Sequence, residues 1–160
     1  MKMKKVCMLL LVCSMVTGVF ASPTVGIGAH VGTDSGLDVN VGFDWFELMG
    51  HVGIQNFQML DPTHLDFDLQ ASGKINLIKA GSFSMPITLG VGMVSRAVCD
   101  GTTSSDWKIG VTIPVGVEFQ WENFPISLYA RFAPGCGFYD GGQYKAFYLW
   151  DASAGVLLQF

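Results

Sequence analysis

The sequence predicts an all-β protein, an eight-stranded antiparallel up-and-down transmembrane β-barrel. Three observations predict it. Half of the 160 residues are hydrophobic, yet beyond residue 21 no apolar run approaches the ~20 residues that a membrane helix needs. Apolar side chains instead recur at every second position through separate runs, the period of a strand with one apolar and one mixed face. The residues between them are mainly Gly, Ser, Thr, Asn and Gln, with few charges per run. A water-soluble barrel turns its apolar face inward, and inner faces this bulky would overfill a small barrel. Small polar groups fit inside and large apolar ones outside, against lipid.

The amino end is a processing segment. Lys2, Lys4 and Lys5 form a basic start, residues 6–20 are uncharged, and Val19-Phe20-Ala21 offers a cleavage site. This pattern predicts a secretory signal peptide over residues 1–21. A lipoprotein-type cut before Cys13 would leave an apolar region of only seven residues. Residues 22–160 then form a single barrel domain. The leader removes three of nine basic residues and none of thirteen acidic ones, so the remainder carries a formal charge of −7. That balance excludes a basic nucleic-acid footprint.

The runs follow in order. Residues 24–32 set Val25, Ile27, Ala29 and Val31 against Gly26, Gly28 and His30, and a turn follows at 33–36. Residues 37–46 set Leu37, Val39, Val41, Phe43 and Trp45 against Asp38, Asn40 and Asp44, with a short connection near 46–48. Residues 48–57 set Leu48, Val52 and Ile54 against His51, Gly53 and Gln55. Phe57 breaks that pattern, and a bulge near Asn56 would repair it. After a loop at 58–64, residues 65–77 alternate most cleanly, with Lys74 on the polar side. A short turn near 78–82 leads to residues 83–96, where Pro86 lacks a ladder donor and calls for a strand start or an irregularity. A loop at 98–106 precedes residues 107–121, with Trp107 and Trp121 on the apolar face and Glu118 on the other. A turn at 122–125 leads to residues 126–132, where Ser127, Tyr129 and Arg131 oppose the apolar face. A Gly-rich loop is expected at 134–143. The last run, 144–160, carries Tyr148, Trp150, Val156, Leu158 and Phe160 on one face and Asp151 and Ser153 on the other. Eight runs joined by hairpins form an antiparallel sheet, and closing it removes the exposed edges.

This pattern, with the leader and the apolar terminal strand ending at Leu158 and Phe160, resembles small bacterial outer-membrane proteins of the OmpX, OmpA-barrel and OmpW type. The resemblance covers the whole mature chain as a pattern and brings no catalytic motif with it. It implies an outer-membrane location with both termini periplasmic and the loops near 33–36, 58–64, 98–106 and 133–143 extracellular. It also implies that the barrel-assembly machinery reads the terminal strand through Val156, Leu158 and Phe160.

Four inward charges, Lys74, Glu118, Arg131 and Asp151, are expected to pair in the middle or lower lumen, because an isolated buried charge is too costly. They form either a static plug or a gate. Trp45, Trp107, Trp121 and Trp150 are expected in two interfacial girdles. Cys99 and Cys136 are expected to form a disulfide between extracellular loops, the alternatives being free thiols or an intermolecular bond. His30 points inward near the outer rim with Asp38 on the next strand, but no enzyme motif accompanies it. No residues have zinc-ligand spacing. The expected protein is therefore a non-enzymatic monomer without metal or cofactor. Lipid is its solvent, and its loops are open to an extracellular ligand in a structural or surface-contact role. A narrow pore or transporter for small or hydrophobic solutes is the second reading, and a lipid-modifying enzyme the third.

Overall fold

The computed structural model describes residues 23–55, 63–99 and 107–160. Among them are nine strands: β1 (Thr24–Gly32), β2 (Asp34–Gly42), β3 (Phe46–Gln55), β4 (Thr63–Ala80), β5 (Phe83–Cys99), β6 (Trp107–Thr112), β7 (Val115–Trp121), β8 (Phe124–Asp140) and β9 (Gln143–Gln159). All pairings are antiparallel, and the ring closes between β1 and β9, from Gly26↔Gln159 to Gly32↔Ser153. Val25 and Phe160 extend that seam through reciprocal main-chain hydrogen bonds of 3.3 and 2.8 Å. The terminal strand thus has two partners, β1 and β8.

The expected count of eight strands becomes nine because the sixth run divides at Ile113-Pro114. Proline has no N–H to donate, so the ladder lapses there. β6 and β7 lie end to end, each paired with β5 on one side and β8 on the other. Hydrogen bonds from Gly90 N–H to Pro114 O (2.9 Å) and from Ile113 N–H to Pro134 O (2.8 Å) hold the break in line. Pro86 sits opposite Asn76, beside a bulge between Asn76 and Ile78, the irregularity its sequence position called for.

Three connections share the end of the ring that holds Pro23 and Phe160: residues 43–45, 81–82 and 122–123. The opposite end, called distal below, holds the β1–β2 turn at Thr33 and the β8–β9 turn at Gly141-Gly142. Both glycines of that turn have positive φ, 53° and 87°, which suits a two-residue hairpin whose twist matches its strands. The loop expected at 134–143 is therefore mostly strand. Gly135 and Gly137 lie within β8 because a Cβ there would meet Val111 O at 2.2 Å and the Phe147 ring at 2.0 Å. A strand glycine can mark such a close approach as well as a loop. Further differences are smaller. Asp34 and Gly36 belong to β2, His64 to β4, and the second connection falls at 43–45 rather than 46–48. The irregularity expected near Asn56 and most of the loops at 58–64 and 98–106 lie outside the described residues.

Polarity is inverted relative to a water-soluble barrel. The outward face carries Val31, Leu37, Ile75 and Val91, each about two-thirds exposed (65%, 67%, 70% and 67%). Among the described residues the inside holds Asp, Glu, His, Arg, Asn, Gln, Ser and Thr side chains, and Met49, Tyr129 and Leu157 form a buried apolar cluster.

Candidate functional site

The lumen is the candidate site, and it is built in layers. Nearest the termini is a vestibule of about 710 Å³ lined by Phe43, Lys74, Ser84, Gln120 and Phe124 among others. An ion network closes it. Lys74 on β4 reaches Glu47 Oε2 at 2.9 Å and Glu118 Oε2 at 3.1 Å. Arg131 on β8 donates from Nη2 to Glu118 Oε1 at 3.0 Å, pairs with Glu47, and donates from Nη1 to Gln70 Oε1 at 3.0 Å. Asn40 donates to Glu47 Oε2 at 3.1 Å and Gln120 to Glu118 Oε2 at 2.8 Å. Two cations and two anions from four strands thus neutralise one another with all four carboxylate oxygens engaged, the condition under which buried charge is tolerated.

Tyr129 connects this network to a second one. The Arg131 guanidinium carbon lies 5.3 Å from the Tyr129 ring centroid, within cation–π range. The Tyr129 hydroxyl donates to Asp38 Oδ2 at 2.6 Å. Gly155 makes room for the ring, since a Cβ there would meet it at 2.6 Å. On the far side of Asp38, the Nδ1 atoms of His30 and His51 lie 2.5 and 2.7 Å from the same Oδ1. Beyond them is a cavity of about 10 Å³ lined by His30, Asp34, His51, Asp66, Asp68, Val94, Arg96 and Asp151. Arg96 pairs with Asp66 at 3.0 Å and also lines a distal opening of about 260 Å³ with Thr33, Gln55, Tyr148, Leu149 and Trp150. Between the vestibule and the distal cavity the lumen is filled by the Lys74–Glu47–Glu118–Arg131 network, Tyr129 and Asp38.

Three of the four charges expected to meet do so: Lys74, Glu118 and Arg131. Asp151 does not. It stands beside the distal cavity, where Thr33 Oγ1 donates to its Oδ1. Its place in the network is taken by Glu47. A connection placed at 46–48 hides Glu47, whereas starting β3 at Phe46 puts Glu47, Met49 and His51 on one inner face. The expected closeness of His30 and Asp38 holds, and His51 joins them through the register Asp38↔His51.

Trp45 and Trp121 lie outward at the terminus end, Trp107 and Trp150 outward in the distal half. Val156, Leu158 and Phe160 are outward on β9 and at its end. Cys136 is not in a loop. It lies within β8 opposite Val111 and Tyr148, exposed and with a free thiol. Val111 pairs with Met93, six residues along β5 from Cys99, which is roughly 20 Å at the rise of a strand. That separation far exceeds the Cα spacing of a disulfide.

Comparison with known protein families and with curated proteins finds no match. Among solved structures, the fold is similar to the N-terminal β-barrel domain of Pseudomonas aeruginosa OprF, with a TM-score of 0.52 and 14% identity over 87% of this chain and 100% of that one. The likeness shows the fold: an all-β, antiparallel, up-and-down sheet of nine strands closed into a ring.

Proposed function

We propose that the protein is an integral outer-membrane β-barrel with a closed lumen, in a structural or surface-interaction role. The observation that supports this most is the inverted polarity of the ring, with aliphatic side chains exposed outside and paired charges buried inside. Apolar surface of that extent is unfavourable in water and favourable against acyl chains. Closure between β1 and β9 leaves no edge in the hydrocarbon, as a membrane-spanning sheet requires. Lipid is then its first partner, and with every edge paired the chain acts as a monomer.

In this reading residues 1–21 are a cleaved signal peptide, and both termini with the turns at 43–45, 81–82 and 122–123 are periplasmic. The distal loops are extracellular and contact a host or environmental ligand. The barrel-assembly machinery reads Val156, Leu158 and Phe160, and the role is non-enzymatic. A second reading, a narrow pore for small solutes, is favoured by one observation. The vestibule of about 710 Å³ ends on Lys74, so a rearrangement of the Lys74–Glu47–Glu118–Arg131 network would open the lumen. Planar-bilayer conductance separates the two. Refolded wild-type protein, its insertion shown by a heat-dependent shift in gel mobility, gives no steady openings, and Arg131→Ala gives them. Steady, reproducible openings of the wild type would replace the closed reading with the pore.

A further inference from the structure

We infer that His30, Asp38 and His51 form a proton-operated latch across the lumen. Protons taken up from the distal side hold β1, β2, β3 and β8 together at this point, and their loss in alkaline medium destabilises that closure. The inference holds whichever compartment the distal end faces, and whether or not the lumen conducts.

The first support is that one buried carboxylate ties four strands. Asp38 on β2 has no exposed surface. Its Oδ1 lies 2.5 Å from His30 Nδ1 on β1 and 2.7 Å from His51 Nδ1 on β3. Its Oδ2 accepts from the Tyr129 hydroxyl on β8 at 2.6 Å.

The second support is the setting of His30. Its Nδ1 faces Asp38, and its Nε2 lies 3.3 Å from Asp34 Oδ2. A neutral imidazole has one N–H and one lone pair, so a neutral His30 would set its lone pair against a carboxylate oxygen. Only the imidazolium donates in both directions. The ring is buried, so bulk water does not take the place of either carboxylate. Asp34 is itself held close, since a Cβ on Gly53 would meet its Oδ2 at 1.9 Å.

The third support is a shortage of donors around His51. His51 Nε2, Asp66 Oδ1 and Asp68 Oδ1 are buried without a hydrogen-bond partner. Their residues line the distal cavity of about 10 Å³, room for about one water. One water donates two hydrogen bonds, so one of the three acceptors has to carry a proton of its own. Charge argues the same way. Asp34 and Asp38 on β2, Asp66 and Asp68 on β4 and Asp151 on β9 stand against Arg96 on β5. Arg131 on β8 is already engaged with Glu47 and Glu118. Buried carboxylates in such excess are neutralised by protons.

The protons exchange with the distal medium. Arg96 lines both this cavity and the distal opening, whereas Tyr129 and the Arg131 network fill the lumen on the vestibule side. In the unfolded chain at pH 7–8, imidazole (ordinarily ~6.5) and carboxyl (~3.9) groups are mostly deprotonated. The folded latch therefore binds about two protons more, one on His30 and one among His51, Asp66 and Asp68, and stability falls as pH rises. Below about pH 6.5 unfolded histidine is charged as well, and the His30 share of the slope disappears.

The test is urea unfolding of the refolded barrel in vesicles at pH values from 6 to 8. Between pH 7 and pH 8 the wild-type folding constant should fall about tenfold per proton, hence about 100-fold, and that of His30→Gln only about tenfold. A wild-type constant that is flat or rises over this range, or a His30→Gln profile equal to that of wild type, would overturn the latch. If the gel shift shows that His30→Gln does not fold, nitrogen-15 spectra of histidine-labelled His64→Gln in micelles decide, because only the rings of His30 and His51 remain. A ring protonated on both nitrogens at pH 8 supports the latch, and two neutral rings overturn it.

Discussion

Replacing Arg131 by methionine removes the charge that joins both carboxylates of the terminus-side network while keeping most of the side-chain volume. The Arg131 side chain is 1% exposed and contacts Glu47, Glu118 and Gln70. After the change, Glu47 and Glu118 remain buried with Lys74 as their only cation, so one negative charge is uncompensated. Removing one partner of a buried ion pair costs about 3–5 kcal/mol, and this site lies at the upper end because two pairs and a hydrogen bond are lost together. The assay is urea unfolding of protein refolded in vesicles, followed by tryptophan fluorescence. Adding Glu118→Gln to Arg131→Met should restore about 1–3 kcal/mol, the coupling expected within one network, since it removes the orphaned charge. If Arg131→Met costs less than about 1 kcal/mol, or the double variant is no better than the single, the network is not the closed unit described.

Other predictions follow from the same geometry. Leu69→Arg, on the exposed outward face, should destabilise the folded barrel in lipid by roughly 2–4 kcal/mol, measured by the same unfolding assay; an unchanged midpoint would mean that this face does not meet hydrocarbon. Gly28→Ala should impair assembly, because its Cβ would lie 2.0 Å from Val156 O at the closing seam, and gel-shift yields after refolding should fall well below those of wild type. Gly142→Ala, at φ +87° with open space around it, should cost about 1–2 kcal/mol of backbone strain alone. Mass spectrometry of thiol-blocked, non-reduced protein should find Cys136 blocked as a free thiol, and a Cys99–Cys136 bridge would refute the β5–β6–β8 register.

Much of this was legible in the sequence, for identifiable reasons. Period-two alternation is a local signal, so the faces of Val31, Leu69 and Trp150 follow from their neighbours alone. Register and tilt are not local. Asp151 and Arg131 look like one layer by strand position, yet the stagger of the ring sets Asp151 beside Thr33 and brings in Glu47 from β3. Composition misled at residues 134–143, where proline and glycine suggested a loop. Gly135 and Gly137 are strand positions at which a neighbouring backbone or ring has no room for a Cβ, and only Gly141 and Gly142 form a turn. The histidine–aspartate cluster escaped because its members, His30, Asp34, Asp38, His51, Asp66 and Asp68, come from four strands and meet only through the register of the ring. The inward His30 facing Asp38 was its one visible trace.

The proposed function requires lipid over the outside of this ring. Depth-resolved quenching of the four tryptophans by acyl chains brominated at defined positions tests it most directly. Trp45, Trp107, Trp121 and Trp150 all face outward towards the two ends. Strong quenching is expected, greatest for bromines near the ester linkages, with little effect of aqueous iodide. Emission that iodide quenches and brominated lipid leaves untouched would contradict it.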